Sequence, residues 1–293
     1  MSFNFEQKYS EYLEKFNCYL ENSLSSLNRN APSLIIDAMR YAVEGGGKRV
    51  RPILCLATAD LLGLDFDDVK EFALAIELIH SYSLVHDDLP AMDNDDYRRG
   101  KLSTHKKFGE ANGILAGDAL LNYAFEVCLS KPNMNSNHIN ACKIIAEYAG
   151  YNGMIAGQVL DLQNEKNNNA NENILYSVFE NKTAKLLTAP LLAASLTAGG
   201  KHFEVLKEFG YNLGVLFQIT DDIMDEEGTL FSIGKTPHKD KEVDKLTSIK
   251  IFGLDGAKMR AEMHYNKCKE LLAAIDDSEF LMAFTDKMFK RKS

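Results

Sequence analysis

Apolar residues recur at helical spacing along most of the chain. In DVKEFALAIELIHSYSLVHDD (68–88) they occupy positions 72, 76, 79, 82, 84 and 85, as on the buried face of an amphipathic helix. Asp67 or Asp68 is placed to cap the start of this helix. The same periodicity predicts further helices over residues 5–27, 32–44, 49–62, 111–130, 137–163, 172–198, 202–226 and 255–276.

Short turns bearing Gly, Asn or Pro separate these segments, and no run of alternating strands interrupts them. Residues 131–137 and 164–173 are rich in asparagine, which is typical of surface loops. Neither stretch resembles an interdomain linker, because the helical segments on both sides carry broad apolar faces. We therefore predict an all-α fold, with a single domain of antiparallel helices over residues 1–293.

Composition narrows the class of protein. A net charge of −9 argues against a nucleic-acid partner, because such binders present a basic surface. The five cysteines show no CxxC spacing, which favours reduced thiols in a cytoplasmic protein. The N-terminal stretch lacks the apolar core of an export signal. Residues 186–200 are too short for a membrane span and contain Pro190, so we expect a buried helix and no stable membrane insertion.

A first acidic motif follows the helix over 68–88, in LVHDDLPAMDNDDYRRG (84–100). Pro90 lacks the amide that would bond the carbonyl of His86, so the helix should stop or bulge here. Asp93 is then expected to return towards Asp87 and Asp88, which gives the spacing DDxxxxD. Hard oxygen ligands at a helix end suit magnesium.

Two alternatives exist for this motif. A calcium-binding EF-hand fails on spacing, since counting from Asp93 leaves Arg98 where glycine is needed and Thr104 where glutamate is needed. A solvated acidic turn is the simpler alternative, and an isolated cluster would favour it.

A second acidic motif, FQITDDIMD (217–225), shifts the balance towards metal binding. Asp221 and Asp225 lie one turn apart on a helix, with Asp222 beside them. Like charges at this spacing destabilise a helix unless a cation offsets them. Two such motifs, each ending an apolar helix, predict a cavity in which facing carboxylates hold several metal ions.

Basic residues supply the complementary charge. GGGKRVRP (45–52) places three cations directly after three glycines, but it lacks the order of a P-loop. Arginine pairs with phosphate oxygens through two hydrogen bonds, and lysine adds a point charge. Taken singly, each cation is best explained as solvated surface charge. Together with two acidic motifs, they indicate anionic groups bridged by metal on one side and bound by cations on the other.

In this order and at these separations, GGGKRVRP, HSYSLVHDDLPAMDNDDYRRG, KTA, FQITDD and GKT closely resemble the trans-isoprenyl diphosphate synthases, from about residue 30 to 250. The resemblance implies antiparallel helices around a deep apolar cavity, aspartate motifs facing each other across its mouth, and a homodimer. It implies head-to-tail condensation of isopentenyl diphosphate with an allylic diphosphate. It also implies about three Mg²⁺ ions, held by Asp87, Asp88, Asp93, Asp221, Asp222 and Asp225.

The resemblance assigns the remaining site residues as well. Contacts to the allylic diphosphate are assigned to Arg98, Lys182 and Lys235. The assignment of Lys245 is weaker, because the sequence around it departs from the pattern of the family. Oxygens near Lys182, Thr183 and Gln218 should screen the allylic carbocation, and the proton lost afterwards goes to the departing diphosphate. The isopentenyl diphosphate site falls to Lys48, Arg51, His80 and Arg99. A lone histidine on an apolar helix is more often a core residue, but His80 lies nearly two turns before Asp87 on the same face.

Product length depends on residues just before the first aspartate. A large aromatic side chain five positions earlier accompanies short products in this family, and here that residue is Tyr82, followed by Ser83. This resembles the bacterial enzymes that make the C15 product, farnesyl diphosphate. The alternatives are a C20 synthase, a class I terpene cyclase and a non-catalytic subunit. FQITDDIMD does not match the second motif of a cyclase, and a non-catalytic subunit would have lost an aspartate motif.

Overall fold

The helices that the periodicity predicts do form. The computed structural model describes residues 3–27, 30–165, 167, 169–227 and 245–291. Its first six helices are α1 (Phe5–Ser25), α2 (Ser33–Glu44), α3 (Val50–Leu61), α4 (Phe66–Asp87), α5 (Thr104–Phe108) and α6 (Glu110–Cys128). The later ones are α7 (Ser136–Ala149), α8 (Met154–Asn164), α9 (Glu172–Val178), α10 (Lys185–Thr197), α11 (Phe203–Glu227), α12 (Ser248–Leu272) and α13 (Glu279–Phe289).

Several boundaries differ from the prediction. The helix expected over 137–163 is two helices, because the chain turns at Gly150–Gly153, where a Cβ on Gly153 would lie 2.1 Å from the Tyr148 carbonyl oxygen. The helix expected from 255 is preceded by a helical stretch that begins at Ser248, where the Thr247 side chain accepts a bond from the Lys250 amide, and a kink at Gly253, whose backbone is not helical (φ +69°), separates the two. Apolar spacing alone does not reveal either change.

The start of α4 corrects the capping prediction. Asp65, rather than Asp67 or Asp68, is the N-cap residue. The Asp68 carboxylate instead accepts a hydrogen bond from the Asp65 amide at 3.0 Å and completes a capping box. This fixes the start of the helix that carries the first aspartate motif at its other end.

Two helices form the centre of the core. Helix α4 buries an apolar face that includes Phe72, Leu78 and Ile79, and α10 is buried over Leu186–Ser195 despite the internal Pro190. A helix that is apolar on all sides belongs in a core, so the prediction for this segment is confirmed. In the described ranges, no helix combines the length and apolarity needed to cross a bilayer.

A continuous helical path carries the KTA motif. Between α9 and α10 the chain widens into a π-helical segment, Phe179–Ala184, which contains Lys182 and Thr183. Such single wide turns are frequent at functional sites. A two-stranded hairpin, β1 (Tyr97–Arg98) paired antiparallel with β2 (Lys101–Leu102), follows α4. The all-α expectation otherwise holds.

Candidate active site

The first aspartate motif folds back on the end of α4, as the position of Pro90 predicts. The helix ends at Asp87, and the amide of Asp93 donates to the Asp87 carbonyl at 2.9 Å. The Asp95 amide likewise donates to the Asp88 carbonyl at 3.1 Å. These bonds bring Asp93 back beside the helix end, where the DDxxxxD spacing was expected to place it.

Asp87 is a desolvated carboxylate in this turn. Burial, and to a smaller extent the nearby Asp93, raise its pKa to about 6, although Lys182 and two other cations oppose the shift. Its Oδ1 accepts a hydrogen bond from Gln158 Nε2 at 2.8 Å. Negative charge is therefore crowded here and only partly offset, which is the condition that a bound cation would relieve.

Asp88 is paired within the chain. Its side chain is buried, with the residue 2% exposed, and both carboxylate oxygens accept from Arg98, whose Nε lies 3.0 and 3.3 Å from them. Arg98 ends β1 and Arg99 begins the tight turn to β2 with φ +52°, so the two arginines have different partners: Asp88 for Arg98 and the Gly46 carbonyl for Arg99. Asp95 lies 3.6 Å from Arg98, and the exposed Asp96 pairs with Lys106 at 2.9 Å.

The second motif lies near the end of α11, and its neighbouring aspartates differ in role. Asp221 pairs with Arg291, close to the C-terminus. Asp222 is 5% exposed and accepts from the Ser248 amide and hydroxyl at 2.7 and 2.8 Å, and from Gln218 Nε2 at 3.1 Å. Asp222 therefore joins α12 to α11, a structural task that the motif spacing did not indicate.

The π-helical segment places the KTA motif beside α8. Lys182 Nζ donates to Asp161, a buried carboxylate on α8, and Thr183 Oγ1 donates to Gln218 Oε1 at 3.0 Å. Gly157 makes this approach possible, because a Cβ there would lie 2.1 Å from the Lys182 amide nitrogen. Lys182, Thr183, Gln218 and Lys245 line one pocket together with Asp161 and Asp222.

Lys245 reaches the first motif from a distant part of the sequence. Its Nζ lies 3.1 Å from Asp93 Oδ1, and its assignment to the allylic diphosphate stays a prediction. Lys235 lies outside the described residues. Within the described ranges, no group of three or more His, Cys, Asp or Glu side chains is gathered as a metal site. Three of the carboxylates, Asp88, Asp93 and Asp221, instead pair with cations of the chain, and metal binding by the two motifs stays a prediction.

A second basic cluster surrounds His80. Arg51 is half-buried, and desolvation lowers the pKa of its guanidinium to about 10. The pKa of His80 is held well below its usual value by burial and by the nearby arginines. Arg99 donates a hydrogen bond to the Gly46 carbonyl. Its guanidinium would lie only 2.9 Å from a Cβ on Gly47, so a side chain at that position would collide with it. Among the described residues, Arg51 Nε has no hydrogen-bond partner.

Lys48 adjoins the C-terminal residues. Its backbone carbonyl accepts a bond from the Tyr9 hydroxyl. Burial lowers the pKa of its ammonium group, and the positive charges of Arg291 and Lys287 lower it further. Of the four residues expected to bind isopentenyl diphosphate, Arg51, His80 and Arg99 lie together in a cation-rich region that suits an anion, whereas the cations that act on Lys48 are Arg291 and Lys287.

The residues expected to limit product length lie on α4. Tyr82 is 5% exposed, and its hydroxyl has no partner among the described residues. The ring meets His86 edge-on at a centroid distance of 5.7 Å, and His86 Nε2 lies 3.1 Å from the Ile114 carbonyl on α6. The Ser83 hydroxyl bonds the His80 carbonyl of the same helix at 2.9 Å.

Three site residues were not identified from the sequence: Gln158, Asp161 and Arg291. The first two lie three residues apart on α8, so their shared helical face in GQVLD was a usable signal. Arg291 follows the last helix, and its guanidinium lies 4.7 Å from the centre of the Phe217 ring. Only the three-dimensional packing of α13 against α11 reveals that contact.

Comparisons with known proteins agree on one family. The model of the polyprenyl synthetase family matches residues 32–282. The farnesyl diphosphate synthase of Micrococcus luteus is 43% identical over 243 residues, covering 82% of each chain. The geranylgeranyl diphosphate synthase of Cyanophora paradoxa is 38% identical over 290 residues, covering 96% of each. A geranyltransferase from Helicobacter pylori, solved with magnesium and isoprenyl diphosphate, has a TM-score of 0.86 at 33% identity and 99% coverage of both chains.

Proposed function

Because the chain belongs to the polyprenyl synthetase family, we propose that it condenses isopentenyl diphosphate head-to-tail with dimethylallyl and geranyl diphosphate to give farnesyl diphosphate and diphosphate. The observation that carries this proposal is the presence of two sets of cations, between which Arg98 lies, since it pairs with Asp88 and also acts on His80. Lys182, Lys245 and Arg98 pair with carboxylates beside the aspartate motifs, whereas Arg51 and Arg99 lie with His80. Two sets of cations suit the diphosphate groups of two substrates.

The aspartate motifs fit magnesium in their donor chemistry. Their carboxylates are hard oxygen donors, and the raised pKa of Asp87 reflects negative charge that a cation would stabilise. We assign the ligands to Asp87, Asp88, Asp93, Asp221, Asp222 and Asp225, with three ions in all; the related geranyltransferase was solved with magnesium. When bound, magnesium supplies positive charge that stabilises the departing diphosphate.

The side chains of the protein bind and orient the allylic substrate. Arg98, Lys182 and Lys235 hold its diphosphate through charged hydrogen bonds. Thr183 and Gln218, whose side chains bond each other at 3.0 Å, present oxygens that screen the allylic carbocation. These fixed charges and dipoles act where charge develops as the C–O bond breaks.

Isopentenyl diphosphate is held by the second set of cations, Lys48, Arg51, His80 and Arg99. The Arg51 guanidinium has a buried Nε without a partner among the described residues, which leaves it able to donate to a phosphate oxygen. The alkene then attacks the allylic carbon, and the proton lost from the adduct passes to the departing diphosphate. No protein group is required as a general base.

Tyr82 and Ser83 limit the product to C15 in this proposal. The buried Tyr82 ring is held by the edge-on contact with His86, so it would block further elongation. The second candidate is the C20 product, favoured by the similarity to a geranylgeranyl diphosphate synthase.

We also propose a single domain over residues 1–293, working as a homodimer in the cytoplasm. Apolar side chains that are at least 38% exposed support the dimer, since contiguous exposed apolar surface marks protein contacts. They lie on α6 and α8 and comprise Ile114, Leu115, Ile155, Val159 and Leu162.

One assay tests the function. The protein is incubated with magnesium, labelled isopentenyl diphosphate and either dimethylallyl or geranyl diphosphate, and the chain length of the product is measured. We expect incorporation into C15. A C20 product would support the second candidate, release of a cyclic hydrocarbon from the allylic substrate alone would indicate a cyclase, and no turnover would indicate a non-catalytic subunit.

A further inference from the structure

A buried ion pair lies beneath the cation cluster around His80. Arg49 is 6% exposed and Glu77 is 2% exposed, and Arg49 Nη1 lies 2.7 Å from Glu77 Oε1. Neither residue belongs to the sets assigned to a substrate. Buried ion pairs add little stability compared with a well-packed apolar pair, so this one calls for another explanation.

Arg49 connects three parts of the fold. Its Nη2 donates to the Val43 carbonyl at 2.8 Å, near the end of α2, while its Nη1 reaches Glu77 on α4. Its own backbone, with φ +47°, is the N-cap of α3. Residues other than glycine seldom adopt this left-handed conformation. The guanidinium therefore fixes the turn after Gly45–Gly47 in one arrangement.

This turn carries two of the expected phosphate-binding groups. Lys48 directly precedes Arg49, and Arg51 follows two residues later in the first turn of α3. The donors of Arg49 are directed at Glu77 and Val43, whereas Arg51 Nε has no partner within the described ranges. The two arginines thus have different tasks: one holds the turn, and the other can donate to a ligand.

Glu77 also acts on the arginines that it does not bond. Its negative charge raises the pKa of Arg51 and that of Arg99, and so opposes the lowering caused by burial. The pKa of His80 is lowered by four positive charges, those of Arg49, Arg51, Arg98 and Arg99. Such a group repels itself unless a negative charge lies among its members.

We propose that Arg49 and Glu77 are positioning residues for the diphosphate of isopentenyl diphosphate: the pair sets Lys48 and Arg51 in place before the anion arrives. The proposal rests on the proposed function, since it takes Lys48 and Arg51 as the groups that bind this substrate. It adds two residues that touch no substrate and act through their neighbours.

The test separates positioning from folding. In the double variant Arg49→Met/Glu77→Leu both charges are replaced together, a change that folded proteins often tolerate. Thermal unfolding measures its stability, calorimetry measures the Kd for isopentenyl diphosphate without magnesium, and steady-state assays give the KM for each substrate. Because this site is formed by cations, the direct binding measurement needs no metal.

We expect the double variant to raise the Kd and the KM for isopentenyl diphosphate at least about tenfold, the effect of losing one charged hydrogen bond. The KM for geranyl diphosphate should stay within about twofold. The matched control is Glu71→Leu/Lys131→Met. It removes a buried carboxylate near the other end of α4 together with its cation, whose Nζ lies 4.0 Å from Glu71 Oε2. This control should change neither KM.

A second variant covers the case in which the double variant does not fold. Arg49→Lys keeps the charge but lacks the planar fork that reaches two acceptors, so it should also raise the Kd for isopentenyl diphosphate severalfold. A wild-type Kd in a folded double variant, or in Arg49→Lys, would overturn the proposal. Failure of the proposed function is distinguishable, because the wild-type protein itself would then make no prenyl product.

Discussion

Replacing Asp87 with asparagine should stabilise the metal-free protein while it abolishes turnover. Burial raises the pKa of this carboxyl from 3.8 to about 6. At about 1.4 kcal/mol per pKa unit, the ionised side chain destabilises the folded state by about 3 kcal/mol at neutral pH. Asn at this position carries no charge and can still accept the hydrogen bond that Gln158 donates at 2.8 Å.

The sign of the pH dependence follows from the direction of the shift. The folded state binds the proton more tightly than the unfolded state, so the wild-type protein loses stability as the pH rises from about 4 to about 6. The Asp87→Asn variant lacks this loss. Its advantage should therefore be about 3 kcal/mol at pH 8 and about half as large at pH 5.

Thermal and urea unfolding in the presence of a chelator measure this difference. An advantage of 3 kcal/mol corresponds to a rise in Tm of about 6 °C for a chain of this size. Turnover with magnesium should fall at least about 10²-fold, the scale expected when a major electrostatic stabiliser is removed. The exposed Asp255 is the control position, and Asp255→Asn should change neither property. The reasoning is refuted if Asp87→Asn is no more stable than the wild type at pH 8, or if its advantage does not grow with pH.

Three further predictions concern neighbouring features. Tyr82→Ala should shift the product towards C20, because a buried ring is removed. Tyr82→Phe should leave the product at C15, since the lost hydroxyl has no partner among the described residues. An unchanged product in Tyr82→Ala would contradict the chain-length role. Gly157→Ala should lower the free energy of unfolding by about 1–3 kcal/mol and turnover about 10²-fold, because the new Cβ would displace the Lys182 backbone. Normal kinetics would show that catalysis does not need the close approach of α8 to the Lys182 backbone. Arg291→Met should cost at most about 1 kcal/mol, since Asp221 is largely exposed, and should tighten magnesium binding in a titration by removing a competing cation; weaker binding would argue against competition.

The sequence predicted the helical architecture because apolar spacing records which face of each helix is buried. It predicted the turn of the first aspartate motif for a local reason, since Pro90 lacks an amide and the chain must leave the helix near Asp87. It did not predict the division at Gly150–Gly153, because apolar spacing continues through the break. Nor did it predict the wide turn at Phe179–Ala184, since one additional residue in a helical turn leaves no pattern of its own.

The site was predictable as a set of motifs and not as a set of contacts. Asp87 and Asp221 were identified from short spacings, but their partners lie far along the chain: Gln158 for the first and Arg291 for the second. The pairing of Asp93 with Lys245 spans a separation of 152 residues. Contacts of this range depend on how the helices pack, and a single sequence does not encode them in any local pattern.

The internal pairing of the aspartates makes ligand binding an exchange of partners. A metal ion that binds Asp93 must take it from Lys245, and a diphosphate that binds Lys182 must take it from Asp161. In the second of these pairs the metal frees nothing, but in the pair of Asp93 with Lys245 the metal frees a cation for the diphosphate and the diphosphate frees a carboxylate for the metal. Metal and diphosphate should then bind with positive coupling, and the coupling must be equal in both directions. Either ligand alone must break an ion pair within the chain, so the enzyme should respond most strongly to the two together.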